Sequence, residues 1–205
     1  ERLVNAKELP STSHITAPVY LQAYEDAYEQ GYTDLINVTI TSKGSNMFQA
    51  AVQAKQMFFE EHPQAKENFH ITVLDSGSYS LGYGFPLVEA AKLVKGGATA
   101  AEIIEYLEDF FSTVEIYFAA YSLEYAKKSG RIPAAAAFVG DVLGLRPIIS
   151  IIDGKTTVVE KVRGDKNVVL RIVERAFERC ADRRAPTAIV YAAVEQYGAD
   201  IWKTI

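Results

Sequence analysis

The hydrophobic pattern of the first half of the chain alternates between helical and strand-like spacing. Apolar residues recur at helical spacing in three segments, residues 17–30, 47–58 and 85–94. Two short apolar runs between them, residues 35–40 and 70–74, predict buried strands. Helices that lie between short apolar strands predict βαβ units and a mostly parallel sheet.

The pattern changes after a fourth helix, which a Thr99/Glu102 capping box is expected to open. Residues 114–118 alternate in strand fashion, and the segments on either side of Asp153-Gly154 predict a β-hairpin with a favoured two-residue turn. The remaining predicted elements are a short helix ending at 128–130, a long helix over 166–183 and a strand over 188–192. We therefore predict an α/β fold with two domains: a parallel βα domain over 1–112, and a second α/β domain with an antiparallel hairpin over 113–205.

Composition narrows the class of protein. The 205 residues are 49% hydrophobic and 23% charged, which is typical of a folded globular protein. A formal charge of −5 argues against a dedicated nucleic-acid binder, and no apolar run approaches the ~20 residues that span a bilayer. The single cysteine, Cys180, cannot form an internal disulfide, and no signal-peptide pattern is present, so a cytoplasmic location is expected.

Three polar turns are candidates for chemistry. Residues 41–46 and 75–78 each follow a predicted strand, and residues 11–14 precede a predicted helix. Ligands of open α/β sheets bind beyond the carboxyl ends of the strands, where helix N-termini attract small anions. On these residues alone, however, helix capping is the simpler interpretation of each turn.

The sequence carries none of the familiar catalytic patterns. There is no Gly-x-Ser-x-Gly elbow, no Walker A sequence and no His-Glu-x-x-His, and the three histidines lack metal-ligand spacing. His14 alone lies beside a polar turn. Arg131 follows a predicted helix end and Arg163 ends the hairpin, and on the residues alone each is either a solvated charge or a contact residue.

Five segments, in this order, carry a resemblance to the DegV family of bacterial fatty-acid-binding proteins. The segments are residues 12–16 (Thr-Ser-His-Ile-Thr), 42–51 (Ser-Lys-Gly-Ser-Asn-Met-Phe-Gln-Ala-Ala), 75–84 (Asp-Ser-Gly-Ser-Tyr-Ser-Leu-Gly-Tyr-Gly), 123–132 (Leu-Glu-Tyr-Ala-Lys-Lys-Ser-Gly-Arg-Ile) and 146–164, which contains Arg-Pro-Ile-Ile, Asp-Gly and Lys-Val-Arg-Gly. No single segment is decisive. Their common order makes the resemblance strong.

The resemblance implies a two-domain protein that holds one long-chain fatty acid in an apolar tunnel between its domains. The family binds the carboxylate through hydroxyl groups of the first two segments, which correspond to Thr12 and Ser45. The residues that would neighbour this headgroup are Ser13, His14, Asn46, Ser76 and Ser80. Burial of each CH₂ contributes about 0.8 kcal/mol, so a long acyl chain binds tightly with few polar contacts.

The resemblance also implies that the protein acts through a partner and has no catalytic activity of its own. Some members present the fatty acid to a separate ATP-dependent kinase subunit, and the two arginines implicated in that encounter correspond to Arg131 and Arg163. The implied protein is a non-catalytic carrier with no cofactor, no metal, no nucleic-acid partner and no stable membrane insertion.

The chain departs from the family pattern at several positions. Gly44 replaces a leucine, Asn46 replaces a glycine, and His14-Ile15 replaces Gln-Pro. The family's N-terminal strand ending in Asp-Ser-Thr and its C-terminal His-x-Gly-Pro-Gly segment have no counterpart, so the chain is expected to be an internal portion of a full member.

Two alternatives stay open from the sequence. One is an enzyme related by fold to dihydroxyacetone kinases, which would bind a small polar substrate and take part in phosphoryl transfer. The other is a regulatory module whose bound lipid reports on the membrane state to another protein.

Overall fold

The structure, a computed structural model, describes residues 12–119 and 144–180. Its helices are α1 (Ala17–Glu29), α2 (Met47–Glu61), α3 (Leu81–Lys95), α4 (Ala100–Thr113) and α5 (Asp165–Arg179), with a short 3₁₀ helix at Pro63–Glu67. Its strands are β1 (Asp34–Thr39), β2 (His70–Asp75), β3 (Ile116–Ala119), β4 (Leu145–Ile152) and β5 (Lys155–Arg163). The α/β fold class is confirmed.

β1 and β2 form a parallel pair, in register from Asp34 opposite His70 to Thr39 opposite Asp75. Helix α2 connects them, so the segment is the βαβ unit that the alternating pattern predicts. Because the strands are parallel and in register, both end at one edge of the sheet. We refer to it as the carboxyl edge.

Helices α1 and α2 pack together over an aromatic core. The small residues Ala50, Ala51 and Ala54 of α2 are buried and let α1 approach closely, while Phe58 and Phe69 fill the space behind them. The hydroxyl of Tyr24 accepts a hydrogen bond from Asn37 Nδ2 at 2.6 Å and donates to the carbonyl of Ala51 at 3.3 Å. This one side chain therefore joins α1 to both α2 and β1.

Helices α3 and α4 form the other neighbours of the parallel pair. The capping box of α4 is present, with Glu102 N donating to Thr99 Oγ1 at 3.3 Å and Thr99 N donating to Glu102 Oε2 at 2.8 Å. Helix α3 begins four residues before its predicted start, and Gly82 lies inside it. A β-carbon at Gly82 would stand 2.7 Å from Ile116 Cδ1 and closer still to Ser78 Oγ, so this glycine allows close packing rather than breaking the helix.

The second sheet is antiparallel, in the order β3-β4-β5, and α5 packs on it. The predicted hairpin is confirmed: its turn residues Asp153 and Gly154 have φ angles of 48° and 70°, the left-handed pair that a type I′ turn requires. The predicted helix before residue 130 and the strand at 188–192 lie outside the described residues. Within the described ranges, no helix has the length and apolar character needed to cross a membrane.

Candidate functional site

Both α1 and α2 begin at the carboxyl edge. Helix α2 leaves this edge after β1, and α1 ends five residues before β1 starts at the opposite edge. The 13 residues of α1 span about 20 Å, close to the length of a six-residue strand, so α1 reaches back across the sheet. The fold thus brings residues 12–16 and the loop after β1 to the same edge.

The start of α3 also lies at the carboxyl edge, because α3 follows β2 after a loop of five residues. Burial raises the pKa of the Tyr20 phenol, and the neighbouring phenol of Tyr83 raises it further. Tyr20 is in the first turn of α1 and Tyr83 in the first turn of α3. Three helix starts, those of α1, α2 and α3, therefore surround the carboxyl edge.

The loop after β1, residues 41–46, is fixed by backbone hydrogen bonds. Thr41 N donates to the carbonyl of Ser78 at 3.0 Å, and Gly44 N donates to the carbonyl of Thr41 at 3.0 Å. Lys43 N also donates to Thr41 Oγ1 at 3.3 Å. The loop is a closed turn that is tied to its neighbour across the sheet edge.

Ser45 lies immediately before the first turn of α2. Its Oγ accepts a hydrogen bond from Met47 N at 3.3 Å, and no acceptor is recorded among the described residues for its own hydroxyl hydrogen. Asn46 occupies the N-cap position and is exposed, but its side chain makes no capping bond. The first turn of α2 has no acidic residue, so its positive end is not neutralised by its own side chains.

Residues 12–14 precede α1 and are exposed. Across the ranges that the structure covers, no hydrogen bond is recorded for the side chains of Thr12, Ser13 or His14. Thr16 occupies the N-cap position, again without a side-chain capping bond, and the first turn of α1 has no acidic residue. This edge of the sheet therefore carries a second uncapped helix start, beside a run of hydroxyl groups.

The loop after β2, residues 75–80, contains the two remaining predicted neighbours. Ser76 is buried, and its hydroxyl is used within its own turn: it donates to the carbonyl of Ser78 at 3.3 Å and accepts from Ser78 N at 3.2 Å. Ser80 is exposed at the N-cap of α3 with a φ of 50°. Ser76 shapes the loop, whereas the Ser80 side chain makes no capping bond.

Asp75 links the two loops of the carboxyl edge. Its carboxylate accepts from Ser42 N at 3.1 and 3.2 Å and from Gly77 N at 3.0 Å. Asp75 belongs to the candidate polar turn predicted at residues 75–78, in an Asp-Ser pair at the end of a strand, but it is not among the residues expected to neighbour the headgroup.

The turn of the β4–β5 hairpin rests on the same edge. Lys43 Nζ donates a hydrogen bond to the carbonyl of Asp153, and a β-carbon at Gly154 would stand 3.2 Å from Thr41 Cβ. An open cleft of about 490 Å³ lies beside this contact. It is lined by Thr41, Lys43, Phe48, Val73, Leu74, Asp75, Ser76, Gly77, Glu108, Phe111, Ser112 and Asp153.

The charges of the cleft do not favour an anion. Among the described residues, its lining carries one lysine, Lys43, against the three carboxylates of Asp75, Glu108 and Asp153. Within the described part of the chain, Ser76 is the one predicted site residue that lines this cleft, and neither Thr12 nor Ser45 belongs to the lining. The uncapped N-termini of α1 and α2 are more favourable for binding a carboxylate than this cleft is.

Comparison with known proteins decides the family. A family model described as "Uncharacterised protein, DegV family" matches residues 1–204. The chain belongs to the DegV family. A DegV domain-containing protein of Clostridium perfringens is 31% identical over 200 residues, which are 97% of this chain and 68% of that relative.

Solved DegV structures share the fold. A fatty-acid-binding DegV family protein from Thermus thermophilus has a TM-score of 0.74 at 26% identity, over 86% of this chain and 60% of that one. A fatty-acid-binding DegV family protein from Streptococcus agalactiae also has a TM-score of 0.74 at 26% identity, over 88% of this chain and 62% of that one. The chain thus spans about three fifths of the length of these two structures.

The DegV resemblance assigns Arg131 and Arg163 to the contact with a partner, and the structure describes one of them, Arg163. Arg163 is the last residue of β5 and is exposed, and its carbonyl accepts from Asn167 Nδ2 at 2.9 Å. No ion pair of its guanidinium is recorded within the described ranges. Because β5 rises roughly 3.3 Å per residue, Arg163 is about 30 Å along the strand from the hairpin turn. Arg131 lies outside the described residues.

Proposed function

We propose that this DegV protein binds a long-chain fatty acid and holds its carboxylate with the hydroxyl groups of Thr12 and Ser45. Ser13, His14, Asn46, Ser76 and Ser80 are the proposed neighbours of the headgroup. The protein performs no chemistry itself and presents the acid to a partner, a fatty acid kinase subunit.

The hydrogen bonding of Ser45 carries the proposal. Because its oxygen already accepts from Met47 N, the hydroxyl hydrogen is oriented away from the helix and can be donated to an incoming oxygen atom. An anion at this point also meets the positive end of α2, where neither the N-cap side chain nor an acidic residue competes for the N–H groups.

The topology supports Thr12 as the second donor. Residues 12–14 and Ser45 precede two helices that begin at the same sheet edge and pack side by side. The solved relatives from T. thermophilus and S. agalactiae, both described as fatty-acid binding, support the class of ligand.

Native mass spectrometry of the purified protein tests the ligand. We expect an adduct with the mass of a fatty acid, identified after denaturation, and weaker retention of it in Ser45→Ala and Thr12→Ala. A hydrogen bond to a charged group contributes about 1.5–3 kcal/mol, so each substitution should weaken binding roughly 10- to 100-fold. Ser42→Ala is the matched control, since it removes a hydroxyl from the same loop without touching Ser45.

Two results would contradict this assignment. If the protein stayed empty after incubation with fatty acids, the proposal of a lipid ligand would be wrong. An adduct of a small polar substrate would favour the phosphoryl-transfer alternative. An equal loss of binding in Ser42→Ala and Ser45→Ala would remove the headgroup role of Ser45.

The partner contact is proposed for Arg131 and Arg163. Arg163 is exposed and remote from the Ser45 loop, so Arg163→Ala should leave lipid binding unchanged and weaken transfer of the bound acid to the kinase subunit. Full transfer by the Arg131→Ala/Arg163→Ala double variant would contradict this contact, and lipid-dependent capture of a different protein would favour the regulatory reading.

The same proposal includes the organisation of the molecule. The parallel pair with its helices corresponds to the domain assigned to residues 1–112, and the antiparallel sheet to the domain assigned to 113–205, with the acyl chain between them. The cytoplasm, where free fatty acid and ATP-dependent kinases meet, is the proposed location.

A further inference from the structure

We propose that Asp75 is the positioning residue for Ser45: its carboxylate holds the 41–46 loop in the conformation that aims the Ser45 hydroxyl at the ligand. This inference rests on the proposed function, because it names the residue that makes that headgroup site selective for a carboxylate.

The Asp75 carboxylate accepts hydrogen bonds from two backbone N–H groups, one in each loop of the carboxyl edge. Ser42 N lies 3.1 Å from Oδ1 and 3.2 Å from Oδ2, and Gly77 N lies 3.0 Å from Oδ1. Hydrogen bonds to an ionised acceptor are about twice as strong as those between neutral groups. The bond to Gly77 is local and shapes the turn after β2, whereas the bonds to Ser42 join residues 33 positions apart.

The link to Ser42 is transmitted to Ser45 through a short and closed loop. Gly44 N donates to the carbonyl of Thr41 at 3.0 Å, so the residue that Asp75 holds lies inside a single turn. On the other side, the ring of Tyr79 packs against Gly44. Ser45 follows directly and is fixed to α2 through Met47 N. A displacement of Ser42 therefore moves the turn that sets the path of Ser45.

A local role at the end of β2 would not require this geometry. Asp75 would make the bond to Gly77 in any Asx turn, and that bond alone does not reach the other loop. The two contacts to Ser42 show that the carboxylate faces across the carboxyl edge, toward the loop that carries Ser45.

The test compares a fatty acid with the fatty alcohol of the same chain length, because only the headgroup differs. Hexadecanoic acid and 1-hexadecanol are titrated into the wild-type protein, Asp75→Ala, Asp75→Asn, Ser45→Ala and the Asp75→Ala/Ser45→Ala double variant. We expect Asp75→Ala to weaken binding of the acid at least tenfold and of the alcohol less than threefold. We also expect Ser45→Ala to have a much smaller effect in the Asp75→Ala background than in the wild type, since both substitutions remove the same contact between Ser45 and the headgroup.

Asp75→Asn keeps the proposal testable if the alanine variant does not fold. An asparagine retains an oxygen at the Oδ1 position for Ser42 and Gly77, but its amide group would face Ser42 N in place of Oδ2. We expect an intermediate loss of acid affinity. Asp34→Asn is the matched control, because Asp34 also accepts a hydrogen bond, from Thr33 Oγ1 at 2.8 Å, but lies at the opposite end of β1.

The outcomes distinguish a failure of the positioning role of Asp75 from a failure of the proposed fatty-acid binding. Equal loss of acid and alcohol binding, in proportion to a lower melting temperature, would overturn the positioning role, as would an undiminished effect of Ser45→Ala in the Asp75→Ala background. A wild-type protein that binds neither ligand would instead overturn the proposed function, and the role of Asp75 with it.

Discussion

Gly44 packs against the phenol end of Tyr79. A β-carbon at position 44 would stand 2.7 Å from Tyr79 Cζ and closer still to the phenol oxygen. The contact joins the loop after β1 to the loop after β2. A residue without a side chain at position 44 is therefore part of how the candidate site is built.

We expect Gly44→Ala to lower the free energy of unfolding by about 1–3 kcal/mol, the range of an overpacked contact. The added methyl group must displace the Tyr79 ring or the 41–46 loop. Tyr79→Phe removes the atom nearest to that methyl group, so Tyr79→Phe in the Gly44→Ala background should recover part of the loss. Urea unfolding of the two single variants and the double variant measures this coupling.

Gly84→Ala is the control for the first prediction. Gly84 lies within α3, where the nearest neighbour of an added β-carbon is Leu81 Cδ2 at 3.9 Å, so alanine should be neutral or should stabilise the helix. Equal stability of Gly44→Ala and the wild type would show that the loop yields at no cost.

We expect Gly154→Ala to destabilise the protein more than Gly31→Ala. Both glycines have left-handed backbones, with φ angles of 70° and 80°, and alanine there costs about 1–2 kcal/mol. A β-carbon at Gly31 meets nothing within 4 Å, whereas one at Gly154 meets the Thr41 side chain. The difference between the two losses, measured by urea unfolding, isolates the contact between the hairpin turn and the 41–46 loop. No difference would mean that the turn does not rest on that loop in solution.

Part of this architecture could be predicted from the sequence because it depends on local patterns. The spacing of apolar residues is sufficient for the βαβ unit, and Asp153-Gly154 is sufficient for the hairpin. The start of α3 was not predicted, because Gly82 and Gly84 are typical of loops. The close approach of Ile116 to Gly82, which a β-carbon would block, joins residues far apart in sequence.

The candidate site could be predicted from the sequence only in part, for the same reason. The polar turns at strand ends identified the 41–46 loop and Ser76. The contacts of Asp75 with Ser42, and of Gly154 with Thr41, depend on which strands are neighbours and on how the second sheet packs. No spacing in the sequence contains that information, and composition did not single out Asp75 among the acidic residues.

A third prediction concerns acid stability. The Arg179 guanidinium, whose Nε lies 3.2 Å from Glu115 Oε2, lowers the pKa of Glu115, and a hydrogen bond from Tyr117 at 2.6 Å contributes in the same direction. A carboxyl with a lowered folded pKa stabilises the protein above its ordinary value of 4.5, and this stability is lost as the pH falls through the folded pKa.

Glu115→Gln should therefore be less stable than the wild type at pH 7, and the two should converge as the pH falls below 4.5. Urea unfolding at a series of pH values measures the convergence. Glu105→Gln, at an exposed position of α4, is the control and should follow the wild-type curve. A gap between Glu115→Gln and the wild type that stayed constant with pH would assign the effect to packing rather than to charge.

The last prediction concerns the Tyr24 hydroxyl, which joins α1 to α2 and β1. Tyr24→Phe leaves Asn37 Nδ2 without its 2.6 Å acceptor and removes the hydroxyl that donates to the Ala51 carbonyl, so a loss of about 1–3 kcal/mol is expected. Tyr28→Phe, in the same aromatic core, should change stability by less than about 0.5 kcal/mol, since no hydrogen bond of the Tyr28 hydroxyl is recorded in the described ranges.

The Tyr24 hydroxyl should also affect the stability of the protein at alkaline pH. Burial raises the pKa of Tyr24 to about 12 from its ordinary value of 10.0, so its contribution to stability is complete below pH 10 and is lost as the pH rises toward 12. Unfolding followed between pH 9 and pH 12 should thus show a shallower alkaline decline in Tyr24→Phe than in the wild type or in Tyr28→Phe. Identical declines in all three proteins would mean that the Tyr24 hydroxyl is already in contact with water, and α1 would then be less firmly docked on α2 than the geometry of the Tyr24 hydrogen bonds requires.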